Sequence, residues 1–109
     1  GEDEATKFLQ KQGYKILERN FRYSRLAEID IVAKDKDTIV FVEVKTRKTL
    51  NCGHPFDAVD YKKLEHIYKA GLAYLKITEE EYKNFRIDII SVLGVQNPKI
   101  EHLKDVSLN

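Results

Sequence analysis

A single cysteine, Cys52, excludes an internal disulfide and suits a reducing cytoplasm. Tryptophan and methionine are absent. With Gly1 first and no methionine anywhere, the expectation is that the natural protein begins upstream and that its first helix is seen in part. Two prolines and five glycines are spread thinly, with no linker, repeat or low-complexity stretch, so 109 residues read as one domain, 1–109. No segment is apolar for long enough to span a bilayer and none has a signal-peptide pattern, so no membrane partner is expected. An excess of one charge is missing too. The net charge is +1, so polyanion binding must come from local clusters. There is no glycine-rich phosphate loop, nucleotide fingerprint or serine-nucleophile motif. Cys52 and His54 have metal-ligand chemistry, but a structural zinc site needs four ligands and no second pair follows, so they read as loop residues.

Two short strings carry chemistry: Glu28-Ile29-Asp30, and Phe41-Val42-Glu43-Val44-Lys45. Both read as strand, joined by the polar turn Asp35-Lys36-Asp37. Strand side chains alternate faces, so Ile39, Phe41, Glu43 and Lys45 share one face while Val40, Val42, Val44 and Thr46 share the other. The first face starts apolar and ends charged, the pattern of a buried strand whose tip opens into a polar cleft. Asp30 meets Glu43 only if paired residue numbers sum to an odd value such as 71 or 73, because a one-residue slip turns every side chain over. A two- or four-residue turn gives that parity. Two carboxylates and an ammonium so placed suit a hard cation and a phosphodiester. Solvated edge charges or cross-strand ion pairs are the plain structural alternative.

The remaining elements follow from period and punctuation. Residues 2–12 read as a helix on Ala5, Phe8 and Leu9, with Gly13 just past its end. Glu2 falls on the inward stripe, either compensating the helix dipole or reaching the cleft. A strand over 14–21 and a basic turn, Arg22-Tyr23-Ser24-Arg25, precede the hairpin of 27–46. Residues 47–56 read as loop and 57–76 as the main helix, N-capped by Asp57 or Asp60. Its expected buried stripe is Leu64, Ile67, Tyr68, Gly71, Leu72 and Leu75. Thr78 with Glu81 predicts a short capped turn of helix. Strands over 85–93 and 99–103 close the chain. The order predicts a mixed α/β or α+β sheet with helices packed on it.

Basic residues flank the carboxylates in three clusters suited to phosphate contacts: Arg19, Arg22 and Arg25; Arg47 and Lys48; Lys62, Lys63 and Lys69. The tyrosines mostly fall on apolar stripes, so base stacking is not expected. His66 is expected in solvent, and His102 carries no signal.

These motifs resemble the restriction-endonuclease-like superfamily with its PD-(D/E)xK site. Asp30 matches the aspartate, Glu43 the acidic residue and Lys45 the lysine, and Glu2 occupies the place of a first-helix glutamate. More narrowly, the chain resembles the YraN-like family of small bacterial proteins, similar in plan to archaeal Holliday-junction resolvases. The match rests on Asn20-Phe21-Arg22, Glu28-Ile29-Asp30-Ile31, Phe41 through Arg47, Pro55, Ala58-Val59 and Arg86-Ile87-Asp88. Ala27 and Ile87 depart from the glycine and phenylalanine usual there. The resemblance implies a Mg²⁺- or Mn²⁺-dependent nuclease acting on DNA rather than RNA, branched DNA included. In that reading Asp30, Glu43 and the Val44 carbonyl hold metal, Lys45 orients water or offsets phosphate charge, and Glu2 serves a second metal or its water. It also implies, by analogy, a homodimer. The alternative from another class is a nucleic-acid-binding module of the same fold with little catalysis, which needs the basic clusters and not the carboxylates.

Overall fold

The computed structural model describes residues 1–49 and 60–106. Its elements are α1 (Glu2–Lys11), β1 (Lys15–Arg22), β2 (Glu28–Asp35), β3 (Thr38–Arg47), α2 (Tyr61–Thr78), β4 (Asn84–Leu93) and β5 (Lys99–Leu103). The five strands form one sheet in chain order. β3 and β4 are parallel and every other neighbouring pair is antiparallel, so α2 is the crossover. This is the mixed α+β architecture expected from the element order.

Each face of the sheet carries its own core. Ile29, Ile39, Phe41 and Ile87 pack beneath Leu64, Ile67 and Tyr74 of α2. Ile31, Val40, Val42, Ile90 and Val92 pack against Ala5 and Leu9 of α1. The alternation read from β3 therefore sorts its side chains between the two helices.

α1 has Glu2, Asp3 and Glu4 in its first turn and Lys11 in its last, matching the helix dipole at both ends. Gly13, at φ 92°, supplies the left-handed residue that turns the chain into β1. α2 is N-capped by Asp60, whose carboxylate accepts from the Lys62 N–H at 2.9 Å. Asp57, the other candidate cap, lies outside the described residues, as do Cys52, His54 and most of the expected loop.

Three expectations about α2 need correction. The buried stripe is Leu64, Ile67, Ala70, Gly71, Tyr74 and Leu75, while Tyr68 and Leu72 are exposed. The helix is rotated because Gly71 sits on the Phe41 ring, where an added Cβ would lie 2.6 Å from Cε2, and because Tyr74 packs edge-on to both Phe21 and Phe41. The helix also runs to Thr78, two residues further than expected. Thr78 and Glu81 start no further turn. The Thr78 hydroxyl donates back to the Tyr74 carbonyl at 2.8 Å, and Glu79 at φ 54° ends the helix.

Candidate active site

The β2–β3 turn settles the register. Asp35 pairs with Thr38 across the two-residue turn Lys36-Asp37, and pairing continues to Ile31 with Val42, a sum of 73. Lys36 takes the positive φ, 55°, that so tight a turn requires. This is the odd parity that puts Asp30 opposite Glu43.

The β2–β3 ladder stops there. Continued, it would pair Ile29 with Val44 and give the Val44 N–H to the Ile29 carbonyl. Instead that N–H donates to Asp30 Oδ2 at 2.8 Å. The Asp30 side chain thus takes the place of a backbone acceptor and holds β2 to β3 where their main chains part.

Glu43 is buried, 6% exposed. Among the described residues its Oε2 has no hydrogen-bond partner, and Lys63 Nζ stands 3.6 Å away in an ion pair. Burial pushes the Glu43 carboxyl up to about 8, helped by a hydrogen bond with Asp30 and by the Asp30 charge; Lys63 and Lys45 oppose the shift. Beside Asp30, Glu43 therefore holds its proton more tightly than an ordinary carboxyl does. Glu43, Lys45, Asp60 and Lys63 line a small pocket of about 10 Å³ floored by Leu64, Ile67 and Ile89. A buried carboxylate oxygen without a donor is destabilising unless a ligand completes it. Perturbed acids in a pocket mark functional sites more often than packing sites. The pair offers a divalent cation two hard oxygen donors, a number that Mg²⁺ sites commonly draw from protein.

Three of the four expected site residues, Asp30, Glu43 and Lys45, therefore meet at one end of the hairpin. Glu2 is not brought to them. It stands on the helix covering the opposite face of β3, with its carboxylate 3.6 Å from Arg19, and no third acidic, histidine or cysteine side chain converges among the described residues. The basic clusters divide. Lys63 belongs to the pocket itself. Arg19 is taken by Glu2 and Asp3, and Arg22 by Glu28 at 2.6 Å. Lys69 pairs with Glu65 at 3.3 Å on the outer face of α2, where ion pairs are weak. Arg25, Lys48 and Lys62 are exposed and Arg47 is half-buried. The β1–β2 turn, the end of β3 and the start of α2 all lie at the carboxylate end of the sheet.

Two features escaped the sequence reading. His102 is no bystander: its Nε2 lies 2.7 Å from Oδ2 of the fully buried Asp88. The Arg86 Nε–H and the Asp105 N–H donate to Asp88 Oδ1 at 3.0 and 2.9 Å, and Arg86 also donates to the Tyr14 hydroxyl at 2.8 Å. The i, i+2 spacing of Arg86 and Asp88 on a strand was the available signal. The tyrosines were the other miss. Tyr23 and Tyr61 are 55% and 64% exposed, so aromatic rings do reach solvent, while the partly exposed Tyr68 and Tyr82 lean on Phe85.

The family model described as Uncharacterised protein family UPF0102 matches residues 1–92. Proteins carrying the name UPF0102 protein are similar throughout. One from Paenarthrobacter aurescens is 45% identical over 108 residues, covering 97% of this chain and 88% of the relative. One from Persephonella marina is 45% identical over 96% of this chain and 87% of its own length. One from Syntrophomonas wolfei is 43% identical over 94% and 90%.

Proposed function

The chain belongs to the Uncharacterised protein family UPF0102, and from that premise and the site above we propose that it is a divalent-metal-dependent nuclease of DNA, branched DNA included. The observation that carries the reading is the buried Glu43 carboxyl beside Asp30 and Lys45, whose Oε2 has no hydrogen bond among the described residues and only the Lys63 ammonium, 3.6 Å away, as an ion-pair partner. Asp30 and Glu43, with the Val44 carbonyl, would hold Mg²⁺ or Mn²⁺. The cation would supply Lewis acidity toward the phosphodiester and a lowered pKa for water.

The protein's own groups do the rest. Asp30, fixed by the Val44 N–H, keeps its second oxygen available to the site. Glu43 must give up its proton before it can ligate, so activity should rise with pH across the range in which it ionises. Lys45 offsets charge on the phosphate or orients the attacking water. Lys63, 3.6 Å from Glu43 Oε2, favours the ionised carboxylate that a cation would need. Arg25, Arg47, Lys48 and Lys62 contact flanking phosphates. The single thiol fits a cytoplasmic protein.

The test is cleavage of linear, forked and four-way DNA, and of RNA, with Mn²⁺ supplied. Asp30→Asn and Lys45→Ala should each abolish cutting. A parent chain that binds Mn²⁺ yet cuts nothing sinks the reading, and variants that cut as well as the parent expose a contaminant. Binding that needs no metal and survives Glu43→Gln, without cleavage, selects the binding module instead. Glu2→Gln judges the fourth residue: full activity removes Glu2 and leaves a three-residue site.

A further inference from the structure

A groove of about 310 Å³ runs between the β1–β2 turn and the outer side of α2, lined by Tyr23, Lys69, Leu72, Ala73 and Lys76. Its apolar surface is open to water: Tyr23 is 55% exposed and Leu72 43%, and Leu26 of the same turn is 66% exposed. Flat aromatic and aliphatic surface edged by ammonium groups is what unpaired nucleobases and their phosphates require: a ring to stack on and cations for the backbone. The Glu65 partner of Lys69 does not remove that cation, because both side chains are more than half exposed.

The groove is also continuous with the carboxylate site. Tyr23 follows Arg22, whose strand partner Glu28 is two residues from Asp30. On α2, Lys69 comes six residues after Lys63, a rise of about 9 Å, and Lys76 about 10 Å further. A strand leaving the Glu43–Lys63 pocket along α2 therefore passes through the groove within a few nucleotides. Paired bases inside a duplex are already stacked and have no free face for Tyr23.

We infer that the groove binds a single-stranded stretch of nucleic acid, with Tyr23 stacking on a base and Lys69 and Lys76 on phosphates, so that the substrate carries an unpaired segment beside the bond to be cut. The location of that bond rests on the proposed function; the binding does not.

The experiment is fluorescence anisotropy with a labelled oligothymidylate and a blunt duplex, in EDTA so that nothing is cut. Tyr23→Ala should weaken oligothymidylate binding about 5- to 100-fold. Tyr23→Phe, which keeps the ring, should stay within about twofold of the parent, as should duplex binding by Tyr23→Ala. Lys76→Glu should weaken binding and flatten its salt dependence. Unchanged oligothymidylate affinity in Tyr23→Ala overturns the inference. So does equal loss in Tyr23→Phe, or a parent that does not bind oligothymidylate at low salt. Tyr23 is exposed, so its variants should keep the parent's thermal midpoint. A chain that binds oligothymidylate through Tyr23 but never cuts with Mn²⁺ ends the nuclease reading alone. One that cuts while Tyr23→Ala binds normally ends the groove alone.

Discussion

Glu43 and Asp88 lie on adjacent parallel strands, one residue out of register, and so face opposite layers of the same sheet. Both carboxyls are buried, at 6% and 0% exposure. Asp88 has a donor or cation on each oxygen: Arg86 and the Asp105 N–H on one, His102 on the other. Burial alone would push its carboxyl up, but the bonds from His102, Asp105 and Arg86 prevail and hold it below the ordinary value. Glu43 faces another carboxylate and keeps an oxygen with no hydrogen-bond donor among the described residues, and it is pushed up to about 8. Depth is therefore not what separates them. The Asp88 network is complete within the chain and ties α1's exit at Tyr14 to β4, β5 and the segment after β5. The Glu43 site is incomplete among the described residues, which is the condition for binding something else.

The largest effect should come from the completed cluster. Asp88→Ala leaves Arg86 half-buried without its carboxylate, and urea unfolding should show a loss of about 3–5 kcal/mol. If Glu43→Gln loses as much, the contrast between the two carboxyls collapses.

The pH dependence sharpens the contrast next. Glu43 binds its proton more tightly folded than unfolded, so its contribution is full below the unfolded value of 4.5 and is lost as pH rises toward about 8. The metal-free parent should lose stability on the order of a few kcal/mol over that interval, and Glu43→Gln should flatten the curve. Asp88 acts in the opposite sense. Its stabilisation is present above the unfolded value of 3.8 and disappears as pH falls through its lowered folded value. A parent whose stability rises between pH 5 and 8 would contradict the Glu43 assignment.

Mn²⁺ should reverse the Glu43 penalty. At a concentration about 100-fold above its dissociation constant, the ion should stabilise the parent by about 2.7 kcal/mol and leave Asp30→Asn unchanged. The smallest expected effect is at Lys63, which lowers the Glu43 value. Lys63→Met should move the Glu43 titration, followed by carboxyl-carbon NMR, to higher pH. A downward move would place Lys63 outside the pair.

The condition for the Asp30–Glu43 pairing was legible from strand parity, and a charged end on an otherwise apolar strand face is hard to place except beside a cleft; the register itself was open, because Asp35 read as part of the turn whereas it pairs with Thr38 in the ladder. The sheet and both helices were legible from period and breakers. What could not be read was contact at a distance. The rotation of α2 depends on Gly71 meeting the Phe41 ring, a fit between residues far apart in sequence that the helix's own pattern of Tyr68 and Leu72 contradicts. The partnership of His102 with Asp88 needs the β4–β5 register, in which His102 pairs with Ile90. Lys63 looked like one more surface lysine of a basic run, and only the packing of α2 over β3 turns it toward Glu43. Glu2 shows the converse: its place on an inward stripe was correct as a pattern, but that stripe faces the other side of the sheet.

The bond from the Val44 N–H to Asp30 makes a main-chain proton part of the site. Its resonance should follow the charge on Asp30, moving when a cation draws electron density from the carboxylate. Its exchange with deuterated solvent should slow when the ligand rigidifies the end of β3. One backbone amide can then report ligation at natural side-chain composition, with no substitution and no turnover. It also makes Asn the informative replacement at position 30, since an amide oxygen can still accept that proton while the charge is gone; Ala would free the strand ends and mix a loss of ligation with a loss of pairing.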